Sequence, residues 1–383
     1  MPITYPYTQY GGVWNLTSQS QAQGQATWPV PPAPHLYAWG YNAQGQLGLG
    51  NTINYSSPKQ VGSLVTWLST STCAYQVSSI KTDGTLWSWG QNDNGQLGLG
   101  NITNYSSPKQ VGSLTNWASS SCGYYHTVAV KTDGTLWTWG KNNLGNLGLG
   151  NLTKYSSPKQ VGSLTNWLKV SAGYGGCMAI KTDGTLWGWG WNPFGQLGDG
   201  TTTNKSSPVQ IGALTNWLNI SATYATTFAI KTNGTLWGWG YNVFGQLGLG
   251  NITYYSSPVQ IGALTNWSKI VNGHNQTLAI KTDGSLWSWG QNDYGQLGLG
   301  NTTNYSSPKQ IGALTTWLTI SAGYKNSAAI KNDGTLWNWG QNSNYGQLGQ
   351  GNLINYSSPK QVGSLTTWSQ ISNWQSSFGI AKT

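Results

Sequence analysis

The sequence repeats itself every 50 residues. A Trp-Gly pair ends at Gly40, Gly90, Gly140, Gly190, Gly240, Gly290 and Gly340. The Pro of Ser-Ser-Pro keeps the same step from Pro58 to Pro308, then slips one residue to Pro359 because "NSNYGQ" carries one extra residue. Seven phased copies define one array, not the two or three separate domains that a chain of 383 residues could otherwise hold.

Within a copy, four short segments read as strands. "NWLKVSA" and "CMAIKTD" are rich in aliphatic residues, "TLWGWG" alternates, and "SPVQIG" is short and begins with Pro, as an outer edge strand can. Between the second and third, Asp-Gly suits the positive φ angles of a tight hairpin. Four antiparallel strands make a propeller blade, and seven blades make a ring. The fold class is therefore all-β: a seven-bladed β-propeller of four-stranded antiparallel blades. Its first copy opens on a third strand, "LYAWG", and the chain ends on a second strand, "FGIAKT". Residues 36–63 are thus expected to supply the outer half of a blade whose inner half comes from about residues 367–383. Such a shared blade ties the chain ends together and removes an open sheet edge.

Tryptophan marks the core. Trp87 and Trp89, two residues apart, share one side of their strand, and the pair recurs to Trp337/Trp339, with Tyr37/Trp39 in the first copy. Together with Trp67, Trp117, Trp167, Trp217, Trp267, Trp317 and Trp368 they account for 20 of 24 Trp. Each can bury about 150–250 Å² between blades, a structural use and not a cofactor box.

Charge is scarce. Lys supplies all 18 basic residues and Asp all 8 acidic ones, giving +10 with neither Arg nor Glu, and charged residues are 7% of the chain. A surface of Asn, Gln, Ser, Thr and Tyr recognises through hydrogen bonds and aromatic contact more than through ion pairs. The lysines are spread singly and read as solvated surface charge, so nucleic acid is not an expected partner. Cys73, Cys122 and Cys177 are odd in number and lack metal-ligand spacing; they read as small buried thiols, and neither metal nor cofactor is expected. No stretch approaches a membrane span, and "MPITYPYTQYGG" lacks the features of a secretory signal, so synthesis in the cytoplasm without signal peptide or membrane insertion is expected.

"KTDGTLWSWGQNDNGQLGLGN", followed by "SPKQV" and "CGYYHTVAVKTDGTLWTWG", resembles the Regulator of Chromosome Condensation repeat family from about residue 36 to the C-terminus. The "WGxNxxGQLG" core in seven copies carries the resemblance, with "WGKNNLGNLG" a minor departure. The resemblance implies a seven-bladed propeller with the blade order given above. Nuclear members of that family exchange nucleotide on a small GTPase and bind chromatin. Plant members sense UV-B through Trp and salt-bridging Arg, which this chain lacks, and a bacterial member inhibits β-lactamases through one propeller face. Fold alone does not choose among these activities.

Comparison of the seven copies separates two faces. The Asp-Gly hairpin face is nearly constant, with Lys81/Asp83 repeated through Lys331/Asp333. The opposite face varies. Its inner turns carry Tyr124, Tyr125, Tyr174, Tyr224, His274 and Tyr324. In its long loops Leu144, Trp191, Phe194, Val243, Phe244, Tyr294 and Tyr345 replace polar residues. Apolar side chains at loop tips are partner-binding candidates, for a host-surface protein or glycan. Catalysis has no comparable footing: five of eight Asp occupy hairpin turns, Asp93, Asp199 and Asp293 lie in separate loops, and His35, His126 and His274 are isolated. No convergent acid and base emerges, so no catalytic residue is assigned, His126 reads as a turn residue, and an enzyme is not expected.

Residues 1–34 precede the repeats as an extended arm, and residues 35–383 form the propeller. Tyr5, Tyr7, Tyr10, Trp14 and Trp28 are anchoring candidates ahead of a rigid "PVPPAP" joint. An aromatic arm on a weakly charged disc suggests a non-enzymatic structural or adhesion protein of a virion or extracellular surface assembly, such as a tailed-phage decoration or fibre, held to other virion or surface proteins by the arm. The alternative is a soluble regulatory propeller that binds a protein, exchange-factor-like or chromatin-binding.

Overall fold

The computed structural model describes residues 33–63 and 66–383. These form 28 strands in seven four-stranded antiparallel sheets, with no helix among the described residues. A representative blade runs from the axis outward through Trp67–Thr72, Gln76–Lys81, Leu86–Gly90 and Tyr105–Gln110. First strands of successive blades touch one another and surround a central channel.

The ring closes as its ends require. Pro34–Gly40 pairs on one side with Tyr55–Gln60 and on the other with Ser376–Lys382, which pairs in turn with Trp368–Asn373. The register runs unbroken from Pro34↔Lys382 to Gly40↔Ser376, so the first and last of the described strands share one blade. The arm candidates Tyr5, Tyr7, Tyr10, Trp14 and Trp28 lie outside the described residues.

Three local features differ from the sequence reading. The fourth strand begins at Tyr105, so Pro108 lies inside it; the ladder jumps from Ser88↔Lys109 to Gly90↔Tyr105, an irregularity that accommodates a residue with no N–H. The hairpin is also wider than a two-residue Asp-Gly turn, with Gly84 N donating to Lys81 O at 2.9 Å and Lys81 N to Thr85 O at 3.0 Å. Asp83 is a clamp in that turn. It accepts from Thr85 N at 2.9 Å and from Thr85 Oγ1 at 2.6 Å, while Thr85 Oγ1 accepts from Trp87 Nε1 at 2.9 Å.

The third difference concerns the Trp pair. Trp89 is fully buried, meets Trp67 edge to face at 5.9 Å, and donates its indole N–H to Gln46 O of the preceding blade at 2.8 Å. Trp87 is only half-buried, and Lys81 covers one side of it: Nζ lies 3.5 Å from the Trp87 ring centroid and 5.1 Å from that of Trp67. This cation–π sandwich recurs at Lys131, Lys181, Lys231, Lys281 and Lys331. These lysines are structural, not freely solvated as their even spacing suggests. In the closing blade Ala381 stands opposite Trp368, where the other blades place the lysine.

The long loop is built from its own polar groups. Asn92 is buried, donates to Asn101 O at 3.0 Å and accepts from Leu97 N at 2.9 Å. Gln96 Oε1 accepts from Asn94 N at 2.8 Å. Gly98 has φ +74°, and a Cβ there would lie 2.7 Å from Trp139 Nε1 in the next blade. The Asn, Gln and Gly of "WGQNDNGQLGLGN" therefore serve loop closure and interblade packing.

Candidate functional site

The turn after each first strand emerges at one end of the channel, the same end that carries the long loops. One residue per turn builds a crown there: Tyr124, Tyr174, Tyr224, His274, Tyr324 and Trp374. Successive ring centroids are 4.8, 5.3, 4.5, 4.7 and 6.1 Å apart. Ala74, itself buried, holds the seventh position and adds no ring there; Tyr75 beside it lies 5.6 Å from Tyr124.

Below the crown, serine hydroxyls join the blades. Ser71 Oγ accepts from Cys122 N at 3.0 Å, Ser121 from Ala172 N at 3.0 Å and Ser171 from Ala222 N at 2.9 Å. The series continues from Ser221 to Asn272 N at 3.2 Å, Ser321 to Asn373 N at 2.8 Å and Ser372 to Thr72 N at 3.1 Å. Val271 interrupts it. Crown and wall together enclose a cavity of about 220 Å³.

The aromatic surface extends outward in one sector. Trp191 lies 5.4 Å from Tyr174, 6.0 Å from Tyr224 and 5.6 Å from Phe194. Phe194 in turn meets Tyr241 at 5.0 Å and Tyr254 at 5.8 Å. These rings are half-buried except Tyr254, which is exposed, so they both brace neighbouring loops and present a surface. Phe244 is half-buried, and Val243 is 39% exposed at its loop tip. The other candidates are scattered: Leu144 is half-buried in another loop, Tyr345 meets Tyr41 at 4.6 Å, and Tyr125 and Tyr294 lie under Lys141 and Lys325 at 5.0 and 4.4 Å.

The surface is close to neutral. Burial raises the phenol pKa of Tyr124, Tyr125, Tyr224 and Tyr241. Burial, with Lys325 nearby, pushes His274 down to about 4. The Lys205–Asp199 pair, 3.2 Å apart, is the only salt bridge among the described residues. His126 is a buried strand residue and not a turn residue; its Nε2 lies 3.0 Å from Cys177 Sγ, and burial lowers the imidazole to about 4 while raising the thiol. All three cysteines are free and buried. Among the described residues no three His, Cys, Asp or Glu side chains gather as metal ligands would.

Sequence reading missed Tyr41, Tyr75, Tyr241, Tyr254 and Trp374. Trp374 was reachable by the 50-residue step from Tyr324. Tyr254 stands where other copies have Asn54, Asn104 or Asn304, but its place in the patch depends on how two long loops pack. Reading also passed over the constant face, where Leu114, Leu164, Leu214, Leu264 and Leu314 recur as exposed side chains.

Seven closed blades of four antiparallel strands define the chain as a β-propeller. The RCC1-like domain model matches residues 36–379, and the chain belongs to that family. No curated protein matches the sequence. The fold superposes on Prp20p of Saccharomyces cerevisiae, described with its binding properties to Gsp1p and histones, at TM-score 0.81 and 18% identity over 91% of each chain. Yeast RCC1 (Prp20) bound by Kap60 gives 0.82 and 18% over 92% of this chain and 89% of that one. Human WBSCR16 gives 0.82 and 20% over 92% and 99%. The expected virion or extracellular location is corrected by these findings: the similar structures are eukaryotic nuclear or cytoplasmic RCC1-like proteins, not virion or surface proteins.

Proposed function

We propose that this chain is a non-catalytic, regulatory protein-binding propeller that docks a folded protein partner on its loop face. The observation that carries this reading is the contiguous patch formed by Tyr174, Trp191, Phe194, Tyr224, Tyr241 and Tyr254, which departs from the seven-fold pattern. Aromatic side chains set in a partly desolvated surface are the usual energetic centres of protein interfaces, worth about 2 kcal/mol or more each when truncated. Low charge around the patch favours a neutral, apolar contact over electrostatic steering. A histone suits this surface poorly, since the chain offers only 8 Asp, no Glu and a formal charge of +10. A small GTPase, the Gsp1p-like alternative, is compatible with it.

The experiment is affinity capture with the intact chain, followed by titration of the identified partner against a Trp191→Ser, Phe194→Ser, Phe244→Ser variant. Binding should weaken about a hundredfold or more, from truncating two or three anchors, with a cooperative unfolding transition showing that the variant is still folded. Unchanged affinity would refute the assignment of this face. A nucleotide-release assay on the partner then separates an exchange factor from another regulator.

A further inference from the structure

The loop between Leu336–Gly340 and Tyr356–Gln361 is one residue longer than the loop between Leu286–Gly290 and Tyr305–Gln310. It helps to line a pocket of about 150 Å³, whose wall includes Tyr294, Tyr324, Lys325, Gln341, Asn344 and Tyr345. The preceding blade, 50 residues back, shows what this pocket lacks. There Asn275 Nδ2 donates to Gln291 Oε1 at 3.0 Å and Gln291 Nε2 donates to Asp293 at 2.5 Å, so the three side chains satisfy one another. The equivalent residues here are Lys325, Gln341 and Ser343: an ammonium replaces the first carboxamide and a hydroxyl replaces the carboxylate. Neither the Lys325 nor the Gln341 side chain is hydrogen-bonded among the described residues. Neither is sealed off, since Lys325 is half-buried and Gln341 is 8% exposed on the pocket wall. Lys325 Nζ sits over the rings of Tyr294 and Tyr324, 4.4 and 5.4 Å from their centroids, and forms no salt bridge with Asp293.

We propose that this pocket binds a hexuronic acid, a sugar ring that carries one carboxylate. The carboxylate takes the place that Asp293 fills in the preceding blade, accepting from Lys325 Nζ and Gln341 Nε2. Hydrogen bonds of this charge-assisted kind are about twice as strong as neutral ones. Lys325 is the only charged residue on the wall among the described residues, so one negative charge balances it, a neutral sugar leaves it unpaired and a cation is repelled. The body of the ligand follows from the rest of the wall. Asn344, which is exposed, and Gln375, which is half-buried, bring carboxamides that both donate and accept, as ring hydroxyls do. The half-buried rings of Tyr324 and Tyr345 offer apolar surface to the C–H side of a sugar. Trp191, Phe194 and Tyr254 take no part in this wall, so the site is separate from the outer aromatic patch and does not depend on the protein-docking reading.

The test is saturation-transfer NMR and calorimetric titration of the full chain at low salt with glucuronate and galacturonate, with glucose and benzoate as comparisons. At least one uronate should bind, about tenfold or more tighter than glucose or benzoate, and its affinity should fall as salt is raised. Ser343→Asp supplies from within the chain the carboxylate that Asp293 gives to Gln291, and should weaken uronate binding about tenfold or more. Lys325→Met removes the ammonium and should weaken it to the same degree. Cooperative unfolding establishes that each variant is folded. Absence of binding by both uronates, or unchanged uronate affinity in either folded variant, would overturn the proposal. Glucose bound as tightly as the uronates would overturn the carboxylate assignment, and benzoate bound as tightly would overturn the sugar assignment.

Discussion

The same substitution in two blades should have different costs, because the indole of each core Trp meets a differently furnished carbonyl. Trp139 Nε1 donates to Gln96 O at 2.9 Å, and Thr127 Oγ1 donates to that same oxygen at 2.9 Å. Trp89 Nε1 donates to Gln46 O at 2.8 Å, where the residue equivalent to Thr127 is Val77 and supplies no second donor. Trp139→Phe therefore loses one net hydrogen bond, about 0.5–1.5 kcal/mol, and leaves its acceptor satisfied. Trp89→Phe strands a buried carbonyl, at about 1–3 kcal/mol. Ring-volume loss is common to both and cancels in the difference, so Trp89→Phe should be worse by about 1 kcal/mol. Urea unfolding followed by far-UV circular dichroism would read this as a lower midpoint at equal slope. Val77→Thr in the Trp89→Phe background should recover most of the difference. Equal midpoints for the two Phe variants, or no recovery by Val77→Thr, would refute the carbonyl argument.

Two further outcomes follow from the same geometry. Gly98→Ala should destabilise by more than about 2 kcal/mol, since its Cβ meets Trp139 Nε1 at 2.7 Å, whereas Gly112→Ala, at φ +62° with nothing within 4 Å, should cost only the left-handed backbone penalty of about 1 kcal/mol; comparison of thermal midpoints separates steric from conformational cost. Stability should also fall with acid in two stages. Buried His126 and His274 have folded pKa values lowered to about 4, so the stability present above the unfolded value of 6.5 is lost as pH falls toward 4, His126 contributing about 3 kcal/mol. Asp83, Asp133, Asp183, Asp283 and Asp333 are held below 3.8 by the neighbouring hydroxyl, then by backbone N–H groups, so their stabilisation is present above that value and disappears on further acidification. His126→Gln, matching Gln76 and Gln276 at the same blade position, should shrink the upper stage to the share of His274 in urea titrations across pH while leaving the lower one intact.

The fold was legible because each blade had to satisfy the same interface. Trp89, Gly98 and Asn92 recur because each packs against a copy of the same neighbour, and the split of strands between Leu36 and Ile380 followed from where the first and last copies are cut. What stayed hidden depends on depth within a blade. Alternation places Trp87 and Trp89 on one side of the strand but does not say that Lys81, arriving from the adjacent strand, covers the first of them. The site was half legible for the same reason. Copy comparison found Trp191, Phe194 and Tyr174, whereas Tyr254, four residues after Gly250, joined them only through three-dimensional loop packing.

In a closed ring, periodic residues answer to the neighbouring blade, so their repetition carries little information about a partner. The exposed leucines from Leu114 to Leu314, with Leu365, illustrate this: six equivalent apolar side chains among the described residues surround the axis and reflect the repeat itself. A specific partner must break that equivalence, because one docking pose can be favoured over its six rotated alternatives only by residues that differ between blades. The departures here fall at two places. Tyr241 and Tyr254 extend the crown outward beside Trp191 and Phe194, while Asn373 and Trp374 alter its inner rim at the closing blade and Ala74 alters it in the next. The first would give the proposed protein partner a single direction on the disc, which the repeated residues alone cannot.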